Sequence, residues 1–341
     1  MRKLLNTLYI TNEQLYLTMN GENLVCKQDG SIIFRIPFDN IENIVCFNYL
    51  GCSPAVMGKC VSKCIPINFM SPQGRFLAKV CGETKGSVHL RVQQIDKFRV
   101  NGLLLAQNTI ATKLYNTAKL IQRSLHDNPQ LRSDAELQRL LDILEKSTDN
   151  LYAAQDMDSI LGIEGNCAKE YFAIFHKLLV NPKNQFQFIN RSKRPPLDPV
   201  NAVLSFLYSI YTAEFGSALE TVGIDSYIGY CHALRSGRQS LACDLVEETR
   251  CIVERFVLSM FNLLMVKETD FEKQISGAVL LTAESRKKII SRWQEKKRSD
   301  FLHPYLKQKI PFGLLPYVQA NLLAKYLRGE LDEYPCFIYK G

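Results

Sequence analysis

Between His232 and Arg250 the sequence packs one histidine, three carboxylates (Asp244, Glu247, Glu248) and three arginines (Arg235, Arg238, Arg250) into 19 residues. Asp244 and Glu247 are three apart, so they share a face in the first two turns of a helix for which Ser240 is the expected N-cap. Two like charges there gain from the positive helix end but repel each other, and a divalent cation would turn that repulsion into ligation. His232 precedes the cap in a loop from which its ring could converge on both carboxylates; a lone histidine is otherwise most often structural. The set needs no thiolate and suits Mn²⁺ or Mg²⁺ better than structural zinc. Arginine beside such a cluster is what a phosphodiester requires, since guanidinium forks hold phosphates neighbouring the polarised oxygen. The plainer use of each arginine is a salt bridge to Asp244, Glu247 or Glu248.

A second candidate is Glu164. Ala168, Tyr171, Phe172 and Phe175 form a helical stripe that, extended backwards, lands on this carboxylate, which is costly to bury without a cation, a metal or hydrogen-bond donors. Taken alone, the segment favours a break of helical phase at Gly165, with Glu164 near a helix start. A third feature is the basic run 286–298, with seven cations, one acid and the only Trp, which reads as a solvated face or as a helix tracking a DNA backbone through Lys287, Lys288 and Lys296.

These residues need a scaffold. The first eighty residues carry strand signals at Leu4–Ile10, Gln14–Met19, Leu24–Lys27, Ser31–Ile36 and Ile41–Phe47, with a type I′ signal at Asn20-Gly21 and a further turn at Asp29-Gly30, which together predict an antiparallel meander continued by the last run. A short helix capped by Ser53 with Pro54 at its first position follows, then a hairpin of Ile65–Met70 and Phe76–Val80. From about Val88 the period changes to 3.6, giving helices near 91–125, 134–146, 150–180 (broken near Gly162), 200–221, 240–266, 284–298 and 314–328, with a basic connector at Arg191–Pro196. The expected architecture is α+β and multidomain: a small N-terminal β domain, 1–87, joined through Gly82–Ser87 to a larger all-α domain, 88–341.

The 341 residues, 46% hydrophobic and 22% charged, exclude a disordered or fibrous chain, and a net charge of +8 permits a polyanionic partner without demanding one. No apolar run reaches membrane-span length, and Met1–Thr7 turns polar too early for a signal peptide, so no membrane association and a cytoplasmic location are expected. Eleven scattered cysteines suit reduced thiols, and Cys60 with Cys64 suits core filling better than half a zinc site.

Gly162-Ile163-Glu164-Gly165 with Ala168 and Tyr171-Phe172, followed by Gly-x-x-His at 229–232 and Arg-x-Gly-Arg-x-Ser-Leu-Ala-x-Asp-Leu-x-Glu at 235–247, resembles the CRISPR-associated protein one family, the endonuclease and integrase of spacer acquisition. Gly51-Cys52-Ser53-Pro54 and the strand around Gly74-Arg75-Phe76 extend the likeness over nearly the whole chain. The resemblance implies a β domain that dimerises and a helical domain whose metal ligands fall on Glu164, His232 and Glu247, with Asp244 in a supporting catalytic role. It implies Mg²⁺ or Mn²⁺ as cofactor, double-stranded DNA as substrate, CRISPR-associated protein two as partner, and insertion of short fragments into the array by 3′-hydroxyl attack on a phosphodiester. Arg235, Arg238, Lys287 and Lys288 are the candidate DNA contacts. Two departures stand out: many members have Asp where this chain has Glu247, and Leu161 replaces a frequent Arg, so that one cation of the site is absent or supplied from elsewhere. The competing functions are a metal-dependent phosphoesterase for small molecules and a non-catalytic architectural DNA-binding dimer.

Overall fold

The structure is a computed structural model that describes residues 7–72, 74–80, 88–181, 183 and 185–340. The start of the first expected strand, at Leu4, and the linker Gly82–Ser87 lie outside the described residues. An N-terminal β region is followed by a mostly helical remainder, in two compact units.

The N-terminal β region of the first unit holds two sheets. Strands β1 (Thr7–Ile10), β2 (Tyr16–Asn20), β3 (Asn23–Gln28), β4 (Ser31–Pro37) and β5 (Asn43–Cys46) precede helix α1 (Pro54–Ser62), and β6 (Ile67–Met70) and β7 (Phe76–Val80) follow it. Only β2-β3-β4 is the antiparallel meander. The expectation that the first and fifth runs join it is corrected: β1 pairs in parallel with β5, and β5 with β6, in the sheet β1-β5-β6-β7. Turn residues reveal hairpins between neighbours, but nothing local announces a parallel pairing that closes over thirty residues. The type I′ turn also moves. Asn20 pairs with Asn23, and of the loop Gly21-Glu22 only the glycine has positive φ, whereas Asp29 (48°) and Gly30 (81°) both do. Ser53 caps α1 as expected, its hydroxyl accepting from the Val56 N–H at 3.3 Å. Leu17, Leu24, Cys26, Phe38, Ile44, Cys46, Val56, Cys60 and Ile67 form the core. Burial pushes the Cys60 thiol up to about 12, while Cys64 is exposed just beyond the helix.

Helix α2 (Val88–Asp127), about 60 Å long at 1.5 Å per residue, opens the second unit. It packs against α3 (Ala135–Ala153), α4 (Met157–Ile174) and α6 (Ser240–Asn262), and α5 (Pro199–Thr221) packs against α6. The helix expected at 150–180 is two helices, α3 ending at Ala153 and α4 starting after Asp156, whose side chain accepts from the Ser159 N–H at 2.7 Å. Short strands β8 (Phe271–Lys273) and β9 (Val279–Leu281) precede α7 (Ala283–Arg298), β10 (Asp300–Leu302) and β11 (Lys309–Pro311) follow, and α8 (Leu315–Leu327) leads into an extended C-terminal segment. Leu281–Phe301, with all of α7, and Ile310–Leu315 cluster with the first unit, so one cut at 87/88 does not describe the chain's return. None of the described helices is long and apolar enough to cross a membrane.

Candidate metal centre

Glu164 lies in the middle of α4. The helix runs unbroken through Gly162 and Gly165, which corrects the expected break of phase and leaves the carboxylate on a half-buried helix face rather than at a start. Its partner comes from α2. The Lys113 ammonium contacts Glu164 Oε1 and lies 2.6 Å from Glu247 Oε2, so one lysine joins two carboxylates that are 83 residues apart in sequence. Lys113 falls at helical spacing with the buried Ala106, Thr109, Ile110, Asn116 and Leu120. It carries the same signal that singles out Glu164, a charge on an apolar stripe, and the sequence reading overlooked it. Burial alone would lower the Lys113 pKa, but Glu247 and Glu164 outweigh it and raise the value.

Glu247 also accepts from a single guanidinium nitrogen of Arg250, Nη1 lying 2.9 Å from Oε1 and 3.2 Å from Oε2. Arg250 in turn gives Nε to Glu254 Oε1 at 3.1 Å and lies 4.3 Å over the Tyr208 ring. The buried Glu254 accepts from Tyr208 (2.7 Å) and Tyr171 (3.1 Å) as well. Burial works against the Glu247 charge, yet Arg250, Lys113 and His232 together hold its pKa well below the usual carboxylate range. Arg250 therefore serves the salt-bridging use foreseen for it, with Glu247 and Glu254 as its acids.

Asp244 does something else. It is fully buried, and its oxygens accept from the backbone N–H groups of Tyr230 (2.8 Å), Cys231 (3.1 Å) and His232 (2.9 Å) and from His232 Nδ1 (2.6 Å). An ionised carboxylate only accepts, so Nδ1 carries a proton toward Asp244 and Nε2 is the ring atom left to ligate. The arrangement depends on Gly229: a Cβ there would meet Asp244 Oδ2 at 2.6 Å and the Ser240 carbonyl carbon at 2.9 Å. The Gly-x-x-His motif is thus a loop pressed against the first turns of α6, with the histidine pinned by the helix. Ser240 is the first residue of α6 and not its cap; Gln239 holds the cap position without a side-chain bond, and the Ser240 hydroxyl turns to the Ala233 carbonyl at 3.3 Å.

Ligand-type atoms of Cys231, His232 and Asp244 lie within 4.8 Å of one another. That trio does not fit a hard cation: burial pushes the Cys231 thiol far up, so it stays protonated, and all four lone-pair sites of Asp244 are in use. Glu164, Glu247 and His232 Nε2 fit one better. They are two acids already sharing a cation and an imidazole near enough for its charge to act on Glu247, although among the described residues these three do not lie within 4.8 Å of one another as the trio does.

The other expected contacts divide. Arg235 is exposed, and among the described residues its side chain makes no ion pair; Arg238 is half-buried, with its guanidinium on the Ala233 carbonyl and, at 3.4 Å, the Ser240 hydroxyl. From the connector, Arg191 bonds Asn201 Oδ1 (2.7 Å) and Ser205 Oγ (3.1 Å), and Lys193 lies close enough to feel Arg250, Glu247 and Lys113. Helix α7 is not a free cationic stripe. Arg286 and Lys297 are buried with Trp293, Ile289 and Ile290, and Lys296 lies 3.9 Å over the Phe312 ring, leaving Lys287 exposed and Lys288 half-buried. Helix α7 and the Glu164–His232–Glu247 group also fall in different units.

A family model described as CRISPR associated protein Cas1 matches residues 8–295. A protein of Rhodospirillum rubrum named CRISPR-associated endonuclease Cas1 2 is 41% identical over the full length of both chains, and CRISPR-associated endonuclease Cas1 1 of Chlorobaculum tepidum is 37% identical, again over both full lengths. The chain belongs to the Cas1 family. The Cas1 fold is matched in solved structures as well. A casposase bound to integration product superposes with a TM-score of 0.83 at 19% identity, covering 96% of this chain and 92% of the other. A Cas1 protein from Thermotoga maritima gives 0.80 at 20% identity, covering 95% and 97%.

Proposed function

We propose that this Cas1 chain is a divalent-metal-dependent DNA endonuclease and integrase of CRISPR adaptation, in which Glu164, His232 and Glu247 hold one Mg²⁺ or Mn²⁺ ion. The observation that carries the reading is the convergence of Glu164 and Glu247 on the Lys113 ammonium, with His232, held through Nδ1 by Asp244, near enough for its charge to act on Glu247. Relatives named as endonucleases over their full length support the activity, and a casposase bound to integration product supports strand transfer on this fold. A chain of a Cas6-RT-Cas1–Cas2 complex, 36% of which this protein covers at a TM-score of 0.82, supports CRISPR-associated protein two as the partner; double-stranded DNA as substrate and a homodimer as the working unit complete the reading.

The residues divide the work by charge. Lys113 and Arg250 keep Glu247 ionised, and Lys113 pairs with Glu164. Asp244 fixes the ring of His232 so that Nε2 remains the ligating atom. An ion bound there would neutralise charge on a phosphoryl oxygen and lower the pKa of the attacking 3′-hydroxyl or water. Arg235 and Arg238 would hold neighbouring phosphates, as would Lys193 of the connector. In-line attack breaks one P–O bond as it makes another, so hydrolytic nicking and strand transfer differ only in the nucleophile.

Glu164→Ala, His232→Ala and Glu247→Ala should each abolish Mn²⁺-dependent nicking of a labelled duplex, by about 10³-fold or more, and pairs of them should lose no more than the singles, because ligands of one ion act as a unit. Near-normal activity in two of the three, with circular dichroism unchanged, would falsify the assignment.

A further inference from the structure

We propose that Lys113 is an internal counter-cation that competes with the divalent ion: its ammonium holds the point between Glu164 and Glu247, and metal loading requires it to withdraw. This rests on the ligand set proposed above. The ammonium touches Glu164 Oε1 and lies 2.6 Å from Glu247 Oε2. A divalent ion held by the same two carboxylates would need the space and the charge that the ammonium supplies, so ion and ammonium would compete and repel each other.

The neighbouring cation cannot play this part. Arg250 is committed three ways: its Nη1 lies on both oxygens of Glu247, its Nε on Glu254, and its guanidinium over the Tyr208 ring. Lys113 has a flexible four-carbon stem and a point charge, and the contacts of its ammonium are the two carboxylates themselves. Of the two, it is the cation that can leave without breaking a further network.

Two effects of opposite sign follow. Without metal, Lys113 neutralises two half-buried acids that would otherwise repel, so it stabilises the metal-free fold. With metal, it must be displaced, so it weakens binding. A residue with a merely structural role would give the first effect without the second.

The test uses the full chain and Mn²⁺ alone, titrated calorimetrically into wild type, K113M and E247Q, with thermal unfolding in EDTA and in saturating Mn²⁺. K113M should bind Mn²⁺ on the order of tenfold more tightly than wild type. It should also unfold at lower temperature in EDTA, with the gap closing when the metal is saturating. Unchanged or weaker Mn²⁺ binding by K113M overturns the inference. E247Q keeps the two readings apart: if it loses Mn²⁺ while K113M fails to tighten, only the role of Lys113 falls, and if it binds as wild type does, the ligand set itself falls. Should K113M not fold, wild type carries the test through acylation of Lys113, followed by peptide mass spectrometry. Faster labelling in saturating Mn²⁺ supports displacement, and an unchanged rate contradicts it.

Discussion

Asp244 and Glu247 sit three apart on one helix and do different work, which spacing alone could not separate. Asp244 spends its lone pairs on three backbone N–H groups and a ring nitrogen, whereas Glu247 faces two cations. Asp244→Asn should therefore lower nicking activity about 10–100-fold while leaving the Mn²⁺ affinity within about threefold of wild type, because it disturbs the ring and not a ligand. An isotherm shifted as far as that of Glu247→Ala would make Asp244 a ligand instead. At this scale the acids, the histidine and the arginines were legible as types and spacings. Lys113 carries the same signal as Glu164, a charge at the spacing of buried apolar residues, but nothing local in the sequence names the acids of two other helices that it meets. The glycine of Gly-x-x-His was legible only as a motif; its reason, that a Cβ there would lie 2.6 Å from Asp244 Oδ2, needs the fold.

Among the helices, α6 carries a second acid with no cation on it. Glu248 faces away from Glu247, and its carboxylate accepts from Tyr334 (2.5 Å), Gln319 (3.1 Å) and the Phe337 N–H (2.8 Å). Asn116 of α2 donates to the Glu248 and Phe337 carbonyls and accepts from the Tyr339 N–H, each at 2.7 Å. The C-terminal segment thereby ties α2 to α6, the helices that carry Lys113 and Glu247. Burial, opposed by those donors, raises the Glu248 pKa to about 7 from an ordinary 4.5. A folded value above the unfolded one means that the fold binds the extra proton, so stability should fall as pH rises from about 4.5 to about 7, by on the order of 3 kcal/mol, and level off above. Glu247, with its folded value depressed, contributes stability that is lost only as pH falls below about 4.5, outside that window. Thermal unfolding across pH 4.5–7.5 checks this: wild type should lose melting temperature with rising pH and Glu248→Gln should not, and equal slopes would refute it. Helix positions in this unit were readable because 3.6-residue periodicity is a local property. The junction at 154–156 was not, since apolar residues continue across it and only the Asp156 cap marks the restart.

For the molecule as a whole, the order of β region then helices was legible from the change of period near Val88, and the return of α7 to the first unit was not, because periodicity reports what a helix is and not what it packs on. That return also changes how the +8 charge is read, since two of the seven cations in the basic run are buried and the site's own cations come from α2, α6 and the 191–238 segments. The central claim is one metal-dependent centre that joins DNA. It is tested most directly by strand transfer: the purified chain with CRISPR-associated protein two, a labelled short duplex and a supercoiled target, with Mn²⁺ or with EDTA. The account predicts labelled fragment covalently joined to the target with Mn²⁺, and none with EDTA or with Glu247→Ala. Joined product in EDTA, or at wild-type level from Glu247→Ala, would contradict it.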